Sequence, residues 1–261
     1  MNKYFLLLFL LIFSGLTVSC TGKNDEDIVF EGKEYRLSFS DEFDHFDESK
    51  WAHCPEQERQ DVGGVWRDAN CSVKDGNLVI VCDIDEDGTP VSAGIRSTGE
   101  YEQTYGLYNM RFKAEKADGL WYAFWLLTDE MSESTVGNGA TDGAELDIFE
   151  LVPHTSEFSM SVHWDGYGDN LKSRFETYYV DDDFYDRYHD LWYLWDKEGY
   201  HLYLDKEKIF DFPGKEYGDG TCAVPCDMII SAEYGSWGGE IDQSRLPAHF
   251  YVDHVKIYTV K

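Results

Sequence analysis

The stretch Glu145-Leu146-Asp147-Ile148-Phe149-Glu150 decides the reading of this chain. Three carboxylates are interleaved with three large apolar residues. Read as a β-strand, successive side chains point to opposite faces. Glu145 and Asp147 then share one face, with Leu146 and Ile148 on the other. Strict alternation sends Glu150 to the face of Leu146, but one extra residue in a bulge near Phe149 returns it to the face of the other acids. The expected result is a group of acids projecting from one strand into one place. Crowding like charges raises the pKa of at least one of them. Such a split suits a reaction that needs one carboxylate ionised as nucleophile and another still protonated as acid, as cleavage of a glycosidic bond does.

The competing account is the solvated face of an amphipathic strand, since acids fall close together in a chain of net charge -29. The setting argues for a site. Upstream runs Gly119-Leu120-Trp121-Tyr122-Ala123-Phe124-Trp125-Leu126-Leu127, and downstream Met160-Ser161-Val162-His163-Trp164. Sugar rings pack apolar faces on aromatic rings and need polar partners for their hydroxyls, so acids flanked by tryptophans suggest a sugar groove.

The N-terminus reads as an export signal. Lys3 precedes an apolar and aromatic run from Tyr4 to Phe13, followed by Ser14-Gly15-Leu16-Thr17-Val18-Ser19-Cys20. The run is too short for a stable transmembrane span and has the basic, apolar and small-residue regions of a signal peptide. Small residues before Cys20 resemble a bacterial lipoprotein signal, which makes Cys20 the lipidated first residue of the mature chain. Residues 1–20 are therefore expected to be removed or lipidated at the boundary. Residues 21–27 read as a flexible acidic tether, and 28–261 as one catalytic-size domain. Acids just after the Cys resemble surface-export signals of Bacteroidetes lipoproteins, so an outer-membrane lipoprotein is expected, held by its lipid alone.

The acidic excess disfavours nucleic acid, anionic membrane surfaces and heavily sulfated polymers as partners. A monomer acting on a neutral glycan is the expectation. Of the cysteines after Cys20, Cys54 could meet Cys71, Cys222 and Cys226 could close a small loop, and Cys82 in an apolar run reads as a buried thiol. No His/Cys spacing suggests zinc.

Short strand-like runs recur: Tyr35 to Phe39, Leu78 to Cys82, Gly106 to Phe112, Tyr122 to Leu127, Leu146 to Leu151, Phe158 to Trp164, Leu191 to Trp195, Tyr200 to Leu204, Met228 to Ala232 and Phe250 to Tyr258. Gly, Asp and Asn punctuate them, as in Lys74-Asp75-Gly76-Asn77. Long helical periodicity is absent, and only Asp183 to Asp190 suits a helical turn. The fold class is all-β, a two-sheet antiparallel sandwich.

These segments, in this order, resemble glycoside hydrolase family 16. Phe39-Ser40-Asp41-Glu42-Phe43-Asp44 is similar to the family's opening segment, and Asp75-Gly76-Asn77-Leu78, Tyr105-Gly106 and Arg111-Phe112-Lys113 fit the next strands. Gly119 through Leu127 resembles the tryptophan-rich strand, Ala144 through Glu150 the longer, bulged catalytic motif, and Val252 through Tyr258 the closing strand. His189 with Tyr193 and Trp195 matches a further stretch. The resemblance implies a concanavalin-like jelly roll with the sugar groove across its concave sheet. It implies Glu145 as nucleophile, Glu150 as general acid/base and Asp147 between them, orienting the nucleophile. It further implies substrate-binding roles for Asn70, Arg96, Trp121, Trp125 and His163; Trp237 is a candidate ligand platform because a large aromatic between glycines is costly to expose without use. From the residues alone, Trp121 and Trp125 lie four apart on one strand and share a face, as platforms or as core. Trp237 sits among glycines in Gly235-Ser236-Trp237-Gly238-Gly239, and Trp66 is a further rim aromatic. Glu42 and Asp253 resemble part of a calcium site of some members. The glycine often found nearby is missing from Asp44-His45-Phe46-Asp47, so no metal or other cofactor is expected to be required.

Retaining endo-glycosidase, non-catalytic glycan-binding lipoprotein and structural surface lipoprotein are the competing functions. The intact acid set favours the first. Laminarinase-like members commonly carry Pro after the first Trp and Met before the acid/base, where this chain has Tyr122 and Phe149. Those departures, with Leu151-Val152-Pro153-His154, look more like endo-β-galactosidase or O-glycan-cleaving members. The expected substrate is a poly-N-acetyllactosamine-like or mucin-type glycan, with β-1,3-glucan as the alternative.

Overall fold

The computed structural model describes residues 19–20, 27–56, 64–97, 99–129, 131, 134–214 and 221–261. The signal segment 1–18 and the tether residues 21–26 lie outside the described residues. Ser19 and Cys20 pair with Val29 and Ile28, and Asp27 already pairs with Arg36 in a hairpin.

Two large sheets face each other across a core of apolar side chains. One is ordered Asp27–Phe30, Lys33–Asp41, Ala248–Val260, Gly106–Ala114, His189–Trp195, Gly199–Leu204 and Glu207–Pro213, with Asn77–Ile84 also paired to Ala248–Val260. The other is ordered Lys172–Tyr179, Glu157–Trp164, Ala144–Val152, Leu120–Leu127, Cys226–Tyr234, Gly94–Arg96 and Ala52–His53. Alternation sets the layers. Tyr108, Met110 and Phe112 point into the core from the first sheet, as do Leu146, Leu151, Phe158 and Met160 from the second. On the far side of the first sheet, Phe30 packs against Trp192 and Tyr203, covering that face with the N-terminal hairpin.

All ten expected strand runs are present, each with an extra residue or two at one or both ends. Lys172–Tyr179 and Glu207–Pro213 are strands that the apolar pattern does not announce. The helical turn falls at Asp182–Asp186 as a 3-10 turn, and further 3-10 turns occur at Asp68–Asn70, Ser236–Gly238 and Gln243–Arg245. Cys82 is fully buried in the core. No disulfide joins the described cysteines; Cys222 Sγ and Cys226 Sγ lie 3.9 Å apart, and burial pushes the Cys54 and Cys71 thiols up to about 12.

Candidate active site

The strand Ala144–Val152 carries the bulge that its sequence predicts. Asp147 pairs with Ser161 and Glu150 with Ser159, so Ile148 and Phe149 together oppose Met160. The neighbour on the other side shifts at the same place: Trp125 pairs with Asp147 and Phe124 with Phe149. The core explains the shift. Ile148 and Phe149 are both fully buried, and the Phe149 ring stacks on Phe112 and Phe158 at 4.6 and 5.1 Å. Two consecutive residues bury inward, and Glu150 therefore emerges on the outer face beside Glu145 and Asp147.

That face is a groove of about 530 Å³, lined by the acids together with Trp121, Ala123, Trp125, His163, Tyr167, Leu171, Glu233 and Trp237. Ala123 pairs with Glu150, and this small side chain between two tryptophans leaves the floor open above the acid. Trp125 is half-buried, and its Nε1 donates to Ser231 Oγ at 3.1 Å. Ser231 Oγ in turn donates to Glu233 Oε1 at 3.2 Å. Trp121 lies on the same face but is covered by the Trp237 loop, with ring centroids 6.1 Å apart. Gly235 makes that contact feasible, because a Cβ there would come within 1.7 Å of the Trp121 ring. Trp237 itself is 59% exposed at the rim.

Asp147 is the hub. Ser161 Oγ donates to its Oδ2 at 2.6 Å, and His163 Nε2 lies 3.2 Å from the same oxygen. His163 Nδ1 meets Ser173 Oγ at 2.6 Å, which fixes the ring between two strands. Burial alone lowers the His163 pKa, but the hydrogen bond and charge of Asp147, with Glu145 behind it, outweigh burial and raise it. Glu145 is pushed up to about 7, first by burial and then by the charge of Asp147, while the hydroxyl of Tyr167 donates to its Oε2 and pulls the other way. Ligand atoms of Glu145, Asp147 and His163 lie within 4.8 Å of one another, the one such convergent set among the described residues. These groups are engaged by Tyr167, Ser161 and Ser173, and the chemistry they favour is proton and charge management among carboxylates.

Other expected positions fall elsewhere. Asn70 donates its amide to the Val81 carbonyl in the opposite sheet at 2.9 Å and does not line the groove. Arg96 is on the groove face next to Ile229, but its guanidinium is paired with the buried Asp227 at 2.7 Å. Trp66 is a buried cover rather than a rim aromatic: it packs with Cys54 and Ile229 and donates to the Ala232 carbonyl. Glu42 is paired with Lys256 at 2.7 Å, and Asp253 accepts from His254 at 2.7 Å. Tyr167 and Glu233 are groove residues that the sequence reading missed. Glu233 had a signal, since Asp227, Ser231 and Glu233 sit at alternate positions of an otherwise apolar strand. Tyr167 had none, because a loop places it.

A model of the glycosyl hydrolases family 16 matches residues 58–256. Keratan-sulfate endo-1,4-beta-galactosidase from Sphingobacterium multivorum is 27% identical over 248 residues, which is 86% of this chain and 55% of that protein. The chain thus spans little more than half the length of that relative. Beta-glucanase from Rhodothermus marinus is 27% identical over 259 residues, covering 86% of this chain and 85% of its own. The solved endo-beta-1,3-glucanase of Pyrococcus furiosus matches with a TM-score of 0.74 at 22% identity, over 90% of this chain and 98% of its own. A structure from work on endo-acting O-glycanases of the human gut microbiota gives 0.73 at 21% identity, over 87% and 91%. The structural likenesses carry the jelly-roll fold. The family model runs from residue 58 into the last strand and encloses the bulged acidic strand, and on that match the chain belongs to family 16 of the glycosyl hydrolases.

Proposed function

We propose that the chain is a retaining endo-β-glycosidase in which Glu145 is the nucleophile and Glu150 the general acid/base. The observation that carries this reading is the bulge at Ile148 and Phe149, which returns Glu150 to the face of Glu145 and Asp147. In the first step the Glu145 carboxylate bonds to the anomeric carbon as the glycosidic bond breaks, and Glu150 gives its proton to the departing oxygen. In the second, Glu150 takes a proton from water, whose oxygen displaces Glu145 and restores the β-configuration. Asp147 holds its own position through Ser161 and His163, and its charge adds to burial in raising the proton affinity of Glu145. With Glu145 pushed up to about 7, the enzyme is short of ionised nucleophile in acid, and turnover is expected to fall as pH drops below neutrality.

For the substrate we favour internal β-1,4-galactosyl linkages of poly-N-acetyllactosamine or mucin-type O-glycans. Tyr122 and Phe149 in place of the laminarinase-like residues support it, as does the galactosidase relative. The acidic groove favours neutral over sulfated chains. The β-glucanase relative supports β-1,3-glucan as the second reading. The test is product sizing after incubation with unsulfated poly-N-acetyllactosamine, keratan sulfate, mucin glycans, laminarin, mixed-linkage glucan and agarose. Cleavage of laminarin alone moves the assignment to the second reading, and cleavage of none rejects the enzyme. NMR of the fresh product is expected to show the β-anomer first; the α-anomer first rejects the assignment of Glu145.

We further propose export and lipid anchoring at Cys20, on the basic, apolar and small-residue order of the segment before it. Intact-mass analysis of the native protein is expected to show an acylated Cys20. An unlipidated N-terminus at another residue overturns the anchor.

A further inference from the structure

The strand Lys172–Tyr179 lies at the edge of the groove sheet, and its residues on the groove face can be assigned by register. Ser173 bonds His163 on that face, so Phe175, two residues on, shares it. Phe175 pairs with Ser161, Ser161 with Asp147 and Asp147 with Trp125. These residues form one row across neighbouring strands, in which Asp147 has an aromatic on each side. Trp125 is one strand away and Phe175 is two, roughly 10 Å at ordinary strand spacing.

Exposure separates the two flanks. Phe175 is 66% exposed. Among the described residues, eight large hydrophobics are exposed, and five of them fall between Tyr167 and Tyr179. Single exposed apolar residues are ordinary, but a concentration on one sheet edge marks an interaction surface. An open edge strand is a hazard for association, and a Phe there raises it, so the position is costly unless it is used. Tyr167 and Leu171, just ahead of the strand, line the groove itself, which makes the patch continuous with the site. Ser173 and Thr177 flank Phe175 with hydroxyls on the same face. An apolar ring face bordered by hydroxyls is what a pyranose ring requires.

We propose that Phe175 is a stacking platform for a sugar residue distal to the reacting bond, on the side of the acids away from Trp125. The inference rests on the glycan-cleaving reading above and extends it. The bound chain runs across the strands along this row, the acids act on one linkage, and a further sugar two strands away lies on the Phe175 ring. Phe175 is a specificity residue for chain length and takes no part in bond breaking.

The test uses size-graded oligosaccharides of unsulfated poly-N-acetyllactosamine and of laminarin. For the ladder that is cleaved, Phe175→Ala is expected to lower kcat/KM about 5- to 10-fold on the longest members, the loss of one aromatic contact. The shortest cleaved members are expected to be unaffected, and the melting temperature unchanged. Phe175→Trp restores the long-chain rate, while Phe175→Leu does not. Equal loss on short and long chains, or no loss on either, overturns the platform. If neither ladder is cleaved, the reaction reading fails on its own, and the platform is then read by affinity. Glu145→Gln and the double variant Glu145→Gln/Phe175→Ala are titrated with the same ladders. Weaker binding of long chains by the double variant supports the platform; equal affinity, or no binding by either, overturns it.

Discussion

Two strands of the groove sheet, Ala144–Val152 and Lys172–Tyr179, use the same outward face in opposite ways. The first is paired on both sides, so its outward carboxylates are walled in by Trp125, His163 and Tyr167, and Asp147 is only 6% exposed. The second has a partner on one side only among the described residues, and its outward Phe175 and Tyr179 stand in solvent. Burial gives a carboxylate its reactivity, because removing water and adding a neighbouring charge moves its pKa. Exposure gives an aromatic ring its reach, because a ring packed in the core has no face left for a ligand. In the roles proposed above, the inner strand holds chemistry and the outer one recognition.

Ile148→Asp tests that contrast most severely. Ile148 is one of the two consecutive residues that the bulge turns inward, and a charge without a partner in the core costs several kcal/mol. Loss of soluble folded protein is expected, or complete loss of turnover in whatever folds. Deleting Thr177 from the edge strand turns over only Tyr178 and Tyr179 at its end, and the protein is expected to fold and cleave. Thermal melts with product assays on both variants decide; a folded, active Ile148→Asp variant breaks the inward placement of Ile148.

Next in size are the single acids. Glu150→Gln is expected to lose roughly 10²- to 10⁴-fold in kcat on substrates with poor leaving groups. Activated aryl glycosides are expected to be spared, and azide to yield the β-azide. Glu145→Gln is expected to be inactive on both, and Glu145→Ala with azide to yield the α-azide. Near-normal turnover by these variants removes the catalytic reading.

Asp147→Asn sharpens the electrostatic half of the comparison. Removing its charge takes away one of the causes that raise Glu145, so the acidic limb of kcat/KM is expected to move from near 7 toward the ordinary carboxylate range. A pH profile whose limb stays in place would show that Asp147 does not tune the nucleophile.

The smallest effect is on stability. Burial and the charge of Asp147 push Glu145 up to about 7 from the ordinary 4.5, so the folded state holds the proton more tightly than the unfolded chain. Stability is then lost as pH rises from the lower value through the higher. Glu145→Gln is expected to raise Tm by a few degrees at pH 8, at roughly 2–4 °C per kcal/mol for a domain of this size. Little gain is expected at pH 4.5. A variant that melts lower than the parent at pH 8 contradicts the burial cost.

Local pattern was enough for much of this. Alternation of β-branched and aromatic residues marked the core strands, and the run Ile148-Phe149 marked the bulge, because two adjacent large apolar residues ahead of an acid cannot all obey a period of two. The same pattern was silent on Lys172–Tyr179, whose Lys-Ser-Arg-Phe-Glu-Thr-Tyr-Tyr lacks a buried face to read. It misplaced Trp66, since a tryptophan after glycines looks the same in sequence whether a strand end covers it or not.

The sequence by itself determined the all-β class, the shared face of Glu145 and Asp147, and the tryptophans of the neighbouring strand, because each follows from side-chain period within one segment; Glu150 joins that face only through the bulge, which the register shows. Only the tertiary structure decided that Tyr167 reaches Glu145, that Ser231 and Glu233 support Trp125, that Asn70 and Arg96 are engaged elsewhere, and that Phe175 falls in line with Asp147. Those relations depend on register between strands distant in the chain, which the packing of both sheets fixes together and no single segment encodes.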